Sequence, residues 1–305
     1  MEDLKSAFYE LTFRLRFRES NGEAFQGLFS TILEMRYPGD FARVRPWGKV
    51  GDRKNDGYLR SKRKLFQCYA PREMTLRKCV SKITKDFTGA LPYWEQYFDE
   101  WVFTHNDTEG LPPDVLALLL SLSKQHNPLT ATHWGYTELL AEFKALPPTD
   151  IASLLGPAPD RKDVVAVRLE DVKPLLEHIA IQPEPLVDDV RPVPAAKLQY
   201  NQLSTAAAVL FTAGMTRAEI VKKYLRGLAD QTRYDRVAAA FRQRYAELKA
   251  QGFPPDDIFL GLQKFVAGDE IVSPTHQAAT LAVLAFFFEA CEIFERPPEE
   301  SNLSS

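Results

Sequence analysis

GDRKNDGYLRSKRKLFQCYAP, residues 51–71, decides how the first half of the chain is read. Asp56 stands directly before Gly57, a basic turn follows, and an apolar run carries Gln67 and Tyr69 until Pro71 ends it. The pattern predicts a hairpin, with one strand near Tyr58 and a second, KLFQCYA, that presents Gln67 and Tyr69 on one face, with Arg63 and Leu65 in phase with them.

Working outward, FARVRPWG reads as a short strand after the turn YPGD, and WVFTHND as a further strand. Between the hairpin and WVFTHND the spacing predicts a helix to about Phe87. EAFQGLFSTILEMR, residues 23–36, spaces Phe25, Leu28, Phe29, Ile32 and Leu33 as one helix face, with Asn21 and Gly22 as cap residues. Residues 4–19 fit two periods: Leu4, Phe8 and Leu11 follow a helix, whereas Leu11, Phe13, Leu15 and Phe17 alternate like a strand. The sum is a small mixed α/β domain over residues 1–147.

From Pro112 onward the pattern reads as helical. Residues 148–200 form a proline-punctuated connector with one short helix, EDVKPLLEHIA, despite Pro174. Residues 201–296 read as an all-α domain and residues 297–305 as a disordered tail. The run LAVLAFFFEACEIF is apolar nearly all round, which suits the central helix of a bundle or, alternatively, an interface.

At 305 residues and 45% hydrophobic content the chain is long enough for two cores. No run approaches the roughly eighteen apolar residues a membrane span needs, and the mixed N-terminus MEDLKSAFYE lacks a secretory pattern, so the expectation is cytoplasmic, without a membrane partner. Cys68, Cys79 and Cys291 lie far apart without metal-ligand spacing and read as buried thiols. The net charge of -3 conceals an asymmetry: residues 43–85 hold fourteen Lys and Arg against three Asp and Glu, a local +11, leaving -14 elsewhere. Such a field suits a phosphate-backbone binder or a solvated basic surface.

A hairpin can carry divalent-ion chemistry on phosphodiesters, because carboxylate and amide oxygens hold Mg²⁺ well. The candidate ligands are Asp56, entering its strand, Gln67 on the next one, and Glu23 at the start of the first long helix. Asp52 is a weaker candidate, deep in the turn. Arg63, Lys64 and Tyr69, with the helical stripe Lys78, Lys82 and Lys85, are candidates for contact with DNA. Tyr69, with a reference pKa near 10, cannot supply a cation beside the ligands. A helix folding back from near Glu73 covers the roughly 13 Å to Gln67 in about nine residues, which brings Lys82, with Lys78 second, to the place where an ammonium is wanted. The stripe equally reads as a solvated helix face.

The arrangement Glu23, Asp56–Gly57 and Gln67 resembles the PD-(D/E)xK nuclease superfamily and, within it, the Mrr-like restriction enzymes. Tyr69 departs from that pattern at the strand lysine. NGEAFQGLF, GDRKNDGY, FQCYAP, WVFTHNDTEGLPP and FFFEACEIFE together resemble the effector subunits of bacterial ABC-three-component antiphage systems such as Lamassu, in which Gln-x-Tyr-Ala-Pro is the usual form. The resemblance implies a restriction-endonuclease-like N-terminal domain, a helical C-terminal domain, and a catalytic site in which Glu23, Asp56 and Gln67 hold Mg²⁺, or Mn²⁺ in its place; Lys82, brought there by the helix geometry above and not by the resemblance, is the catalytic cation expected beside them. The resemblance also implies double-stranded DNA as substrate, self-association when active, and partnership with an SMC- or Rad50-like ATPase and a small third subunit. No Gly-x-x-x-x-Gly-Lys-Ser/Thr loop is present, so nucleotide hydrolysis would reside in the partner. A non-catalytic DNA-binding adaptor is the alternative. His105 in WVFTHND reads as a structural polar group, and His126, His133, His178 and His276 show no metal-ligand pairing.

Overall fold

The computed structural model describes residues 4–46, 51–180, 196–227, 232–268, 273–290 and 292–295. The chain forms two compact units, one of residues 13–154 and one of residues 1–12 with 155–305. Residues 4–19 form one helix, α1 (Leu4–Glu19). Its strand-like alternation is accidental: Phe13 and Phe17 are buried one turn apart, while Leu15 between them is only half-buried.

In the unit of residues 13–154 a five-stranded sheet runs in the order β1 (Phe41–Arg43), β2 (Gly57–Leu59), β3 (Lys64–Tyr69), β4 (Glu100–His105) and β5 (Thr130–Trp134). The first three strands are antiparallel, and β4 and β5 continue parallel to β3. The side-chain alternation of β3 explains how the sheet is covered. Phe66 points to the face where Phe29 of α2 (Glu23–Arg36), Phe41 and Trp134 meet it, at ring separations of 5.0 to 6.2 Å. Leu65 points to the other face, into a core with Cys79, Ile83 and Phe87 of α3 (Leu76–Trp94) and Val115 and Leu119 of α4 (Pro113–Gln125). Phe143 of α5 (Tyr136–Lys144) stacks on Phe13 at 4.5 Å, and α6 (Pro148–Leu155) follows.

Two expectations need correction. The segment after Pro112 is not wholly helical, because TATHW forms β5: Ala131 packs into the core beside β4, and five residues at a sheet edge are too short to impose a visible period between two amphipathic helices. α3 does not stop near Phe87 but runs to Trp94, since its apolar stripe Cys79, Ile83, Phe87 and Ala90 continues, and Pro92, which has no N–H for the helix ladder, stands two residues before the helix ends. Among the described residues of FARVRPWG, Phe41–Arg43 is strand, and residues 47–50 lie outside the described residues.

The other unit is helical. α7 (Arg161–Ala166) and α8 (Leu169–Ile179) lie where the connector was expected. After them come α9 (Ala196–Tyr200), α10 (Thr205–Met215), α11 (Ala218–Arg226), α12 (Thr232–Ala250), α13 (Pro255–Ala267) and α14 (Pro274–Glu289). Every residue from Gln277 to Phe288 of α14 is buried, so the apolar run is the central helix, packed by α7, α8, α10, α11 and α13. Gly214 lets α10 approach the Leu281 carbonyl so closely that a Cβ there would collide with it. Lys197 is fully buried and donates to the Phe288 and Ile293 carbonyls at 2.7 Å each, satisfying acceptors at the end of α14. Residues 181–195, Cys291 and the expected tail lie outside the described residues, and no described helix is long and apolar enough to cross a membrane.

Candidate active site

The hairpin places Asp56 at the entry to β2, where its backbone N–H donates to the Phe66 carbonyl at 2.9 Å. The adjoining glycine has a packing reason: a Cβ on Gly57 would sit 2.7 Å from Cε2 of the Phe41 ring, so only glycine fits under that aromatic. The Asp56 carboxylate is 5% exposed and accepts three N–H bonds. Gln67 Nε2 and the Cys68 backbone N–H both reach Oδ2 at 2.7 Å, and Gln26 Nε2 reaches Oδ1 at 2.8 Å. Burial pushes the carboxyl up to about 6, against the Cys68 N–H bond and the Lys82 charge, which lower it.

Helix α2 therefore meets Asp56 through Gln26. Glu23 lies one turn earlier, exposed, at the first position of the helix. The N-cap Gly22, at φ 52°, donates its N–H to the Ala70 carbonyl at 2.7 Å, which stitches that end of α2 to the end of β3. Gln67 Oε1 is buried with no hydrogen-bond partner among the described residues.

Lys82 of α3 forms an ion pair with Asp86 one turn on, and Lys54 Nζ approaches the same carboxylate at 3.1 Å. Asp86 is fully buried while the two lysines are about one-third exposed, so a carboxylate is sealed beneath two ammonium groups. Lys82 and Asp86 both act electrostatically on Asp56, one lowering and one raising its pKa. Asp86, Lys54 and Gln26 escaped sequence reasoning. The available signal was the Lys82-x-x-x-Asp86 spacing beside the apolar stripe, a charge pair on a face that otherwise turns inward.

Tyr69 is half-buried against Phe103, its ring 5.9 Å away, and burial raises its hydroxyl pKa. Arg63 and Lys64 lie at the opposite end of β3, where Arg63 Nε bonds both Asp99 oxygens at 2.9 Å and Lys64 pairs with Glu100 at 2.9 Å. Lys78 and Lys85 lie on α3, both exposed. In WVFTHND, Asn106 donates to the Ser20 carbonyl at 2.9 Å and Asp107 caps a turn. His105, fully buried, stands 3.4 Å from His133 Nδ1 across the parallel strands, a pairing that needs β5 and was invisible in sequence. Burial, then the His133 charge, lowers its pKa to about 4.

Among the described residues no three His, Cys, Asp or Glu side chains converge as metal ligands. The atoms that fit an oxygen-coordinated divalent ion are the Asp56 carboxylate and the unpartnered Gln67 Oε1, hard donors at a site where burial disfavours uncompensated negative charge.

Comparison with curated proteins and with solved structures gives no match. Residues 170–295, from α8 to the end of the described helical unit, match the family model described as C-terminal domain 10 of the ABC-three-component (ABC-3C) systems. That match supports membership of the chain among the components of an ABC-three-component system.

Proposed function

We propose that this chain is the effector of an antiphage ABC-three-component system and that residues 13–154 are a Mg²⁺-dependent DNA endonuclease domain of the PD-(D/E)xK type. The observation that carries the reading is the juxtaposition of Asp56 and Gln67 on neighbouring strands, with a carboxyl held near 6 and an amide oxygen left without a partner. Asp56 and Gln67 would hold the ion, with Glu23 the third candidate from α2. When bound, Mg²⁺ (or Mn²⁺) supplies Lewis-acid stabilisation of phosphate charge and a water of lowered pKa. Gln26 and the Cys68 N–H orient the Asp56 carboxylate, and Lys82 supplies positive charge beside it. Lys78 and Lys85, on the same helix, extend that charge toward the duplex. The helical unit would dock to the ATPase, of SMC or Rad50 type, and to the third subunit, with self-association accompanying activation.

The test is cleavage of plasmid DNA by the chain, alone and assembled with its partner subunits, in Mg²⁺. Wild type should nick, and Asp56→Ala should not. Continued cleavage by that variant removes the metal assignment. A second reading, a non-catalytic DNA-binding adaptor, is favoured by the fact that both Asp56 oxygens are already hydrogen-bonded and Lys82 is already paired. DNA binding that persists in EDTA, with no cleavage in any assembly state, selects it.

A further inference from the structure

The turn that leads into Asp56 is built at a conformational cost, and the cost places one side chain. Arg53 and Lys54 are consecutive non-glycine residues in the left-handed region, at φ 54° and 63°. Such positions cost of order 1 kcal/mol or more each and persist only where surrounding contacts over-determine them. Those contacts are present. The Lys54 N–H donates to Asp52 Oδ1 at 2.8 Å, Trp94 Nε1 donates to the Arg53 carbonyl at 3.0 Å, and the Arg53 guanidinium lies 4.6 Å from the Tyr93 ring centroid. The Lys54 stem crosses α3 at Gly89, where even a Cβ would stand 3.0 Å from Lys54 Cγ.

What this clamp delivers is the Lys54 ammonium, set on Asp86 opposite Lys82. Two ammonium groups on one carboxylate leave a net charge of +1, so either lysine can turn to an incoming anion while the other keeps the buried Asp86 neutralised. Asp56 belongs to the same electrostatic neighbourhood, since its charge, with those of Asp86 and Asp52, acts on Lys54. Next to Asp56 in the chain, Asn55 is fully buried, and neither of its amide atoms is hydrogen-bonded among the described residues.

We propose that Lys54, delivered by the strained turn and shared with Lys82 on Asp86, is a second phosphate-contacting cation of the Asp56 site, with Asp86 the positioning residue for both lysines. The inference rests on the reading of that site as one that binds a nucleic-acid backbone, and it stands whether or not the site cuts.

The test is the salt dependence of duplex DNA binding by the full chain in EDTA, for wild type, Lys54→Met, Lys54→Arg and Asp86→Asn. Loss of one phosphate contact makes the slope of log K against log salt shallower by about 0.9. Lys54→Met should show that change, Lys54→Arg should keep the wild-type slope, and Asp86→Asn should alter it with both lysines present. A Lys54→Met slope equal to wild type overturns the proposal. Thermal unfolding of each variant identifies a merely structural effect, which moves the melting temperature and leaves the slope. Mg²⁺-dependent cleavage by wild type is scored separately: its absence removes the nuclease reading and leaves the slope comparison in force. Absence of any salt-dependent DNA binding by wild type removes both.

Discussion

Replacing Asp56 with asparagine should stabilise the fold near neutral pH, because the wild-type carboxylate is ionised in a buried place. The carboxyl titrates at 3.8 unfolded and at about 6 folded. Below 3.8 both states hold the proton and the group contributes no difference. Between 3.8 and about 6 the unfolded chain gives up its proton first, so rising pH draws the equilibrium toward unfolding, and above about 6 the cost is constant. At about 1.4 kcal/mol per pH unit the full cost is about 3 kcal/mol. In Asp56→Asn the new amide oxygen in the Oδ2 place would keep the N–H bonds from Cys68 and Gln67, and the amide of Gln26, which faces Oδ1, would have to turn to present its oxygen to the new N–H. Weakening charge-assisted bonds returns about 1 to 2 kcal/mol, leaving a net gain of roughly 1 to 2 kcal/mol at pH 7 that vanishes below about pH 4. All four tryptophans, Trp47, Trp94, Trp101 and Trp134, fall within residues 13–154, so urea unfolding followed by tryptophan fluorescence reads this unit alone. A variant less stable than wild type at pH 7, or a difference that stays constant from pH 4 to pH 7, would show that the three N–H donors outweigh burial and refute the reasoning.

His105 carries the opposite linkage. Its folded pKa of about 4 lies below the unfolded 6.5, so its contribution is present above 6.5 and about 3 kcal/mol is lost as pH falls to about 4. His105→Gln should remove that acid loss in the same fluorescence assay, and because Asp56 and His105 oppose each other between about pH 4 and 6, wild type should show a flatter profile than either single variant. Gly57→Ala, forcing a methyl into the Phe41 ring, should cost about 1 to 3 kcal/mol by urea unfolding. Gly214→Ala should leave the fluorescence transition in place and lower the stability of the helical unit by a similar amount, seen as an earlier loss of far-ultraviolet circular dichroism.

Residues that act along the chain were legible in the sequence, and residues that act across it were not. Asp56–Gly57 and Gln67 follow from strand alternation within one hairpin, and the Asp56 and Gln67 side chains do meet. The rise of a helix folding back on its strand directs attention to Lys82, whose ammonium pairs with Asp86 and whose charge acts on Asp56. The contact of Gln26 with Asp56 depends on how α2 rolls against the sheet, which the period of its apolar residues fixes only to within a turn. Lys54 depends on two left-handed residues that no propensity favours, held by Trp94 and Gly89 some forty residues downstream. The His105–His133 pair requires a strand too short to announce itself.

The basic run of residues 43–85 resolves into two physically different parts. At the hairpin turn the positive charges are spent on the protein: Arg60 donates to the Gly39 carbonyl, Arg63 grips Asp99, and Lys64 pairs with Glu100 beneath Trp134. At the other end Lys54 and Lys82 share a single carboxylate, and Lys78 and Lys85 stand on the helix that carries Lys82. A local excess of positive charge therefore survives around α3 and Asp56, where two buried carboxylates, Asp56 and Asp86, face a desolvation cost that nearby cations offset. Clustering in the sequence located the charge, and the acidic partners supplied from β4 and α3 decided which of it remains available to a ligand.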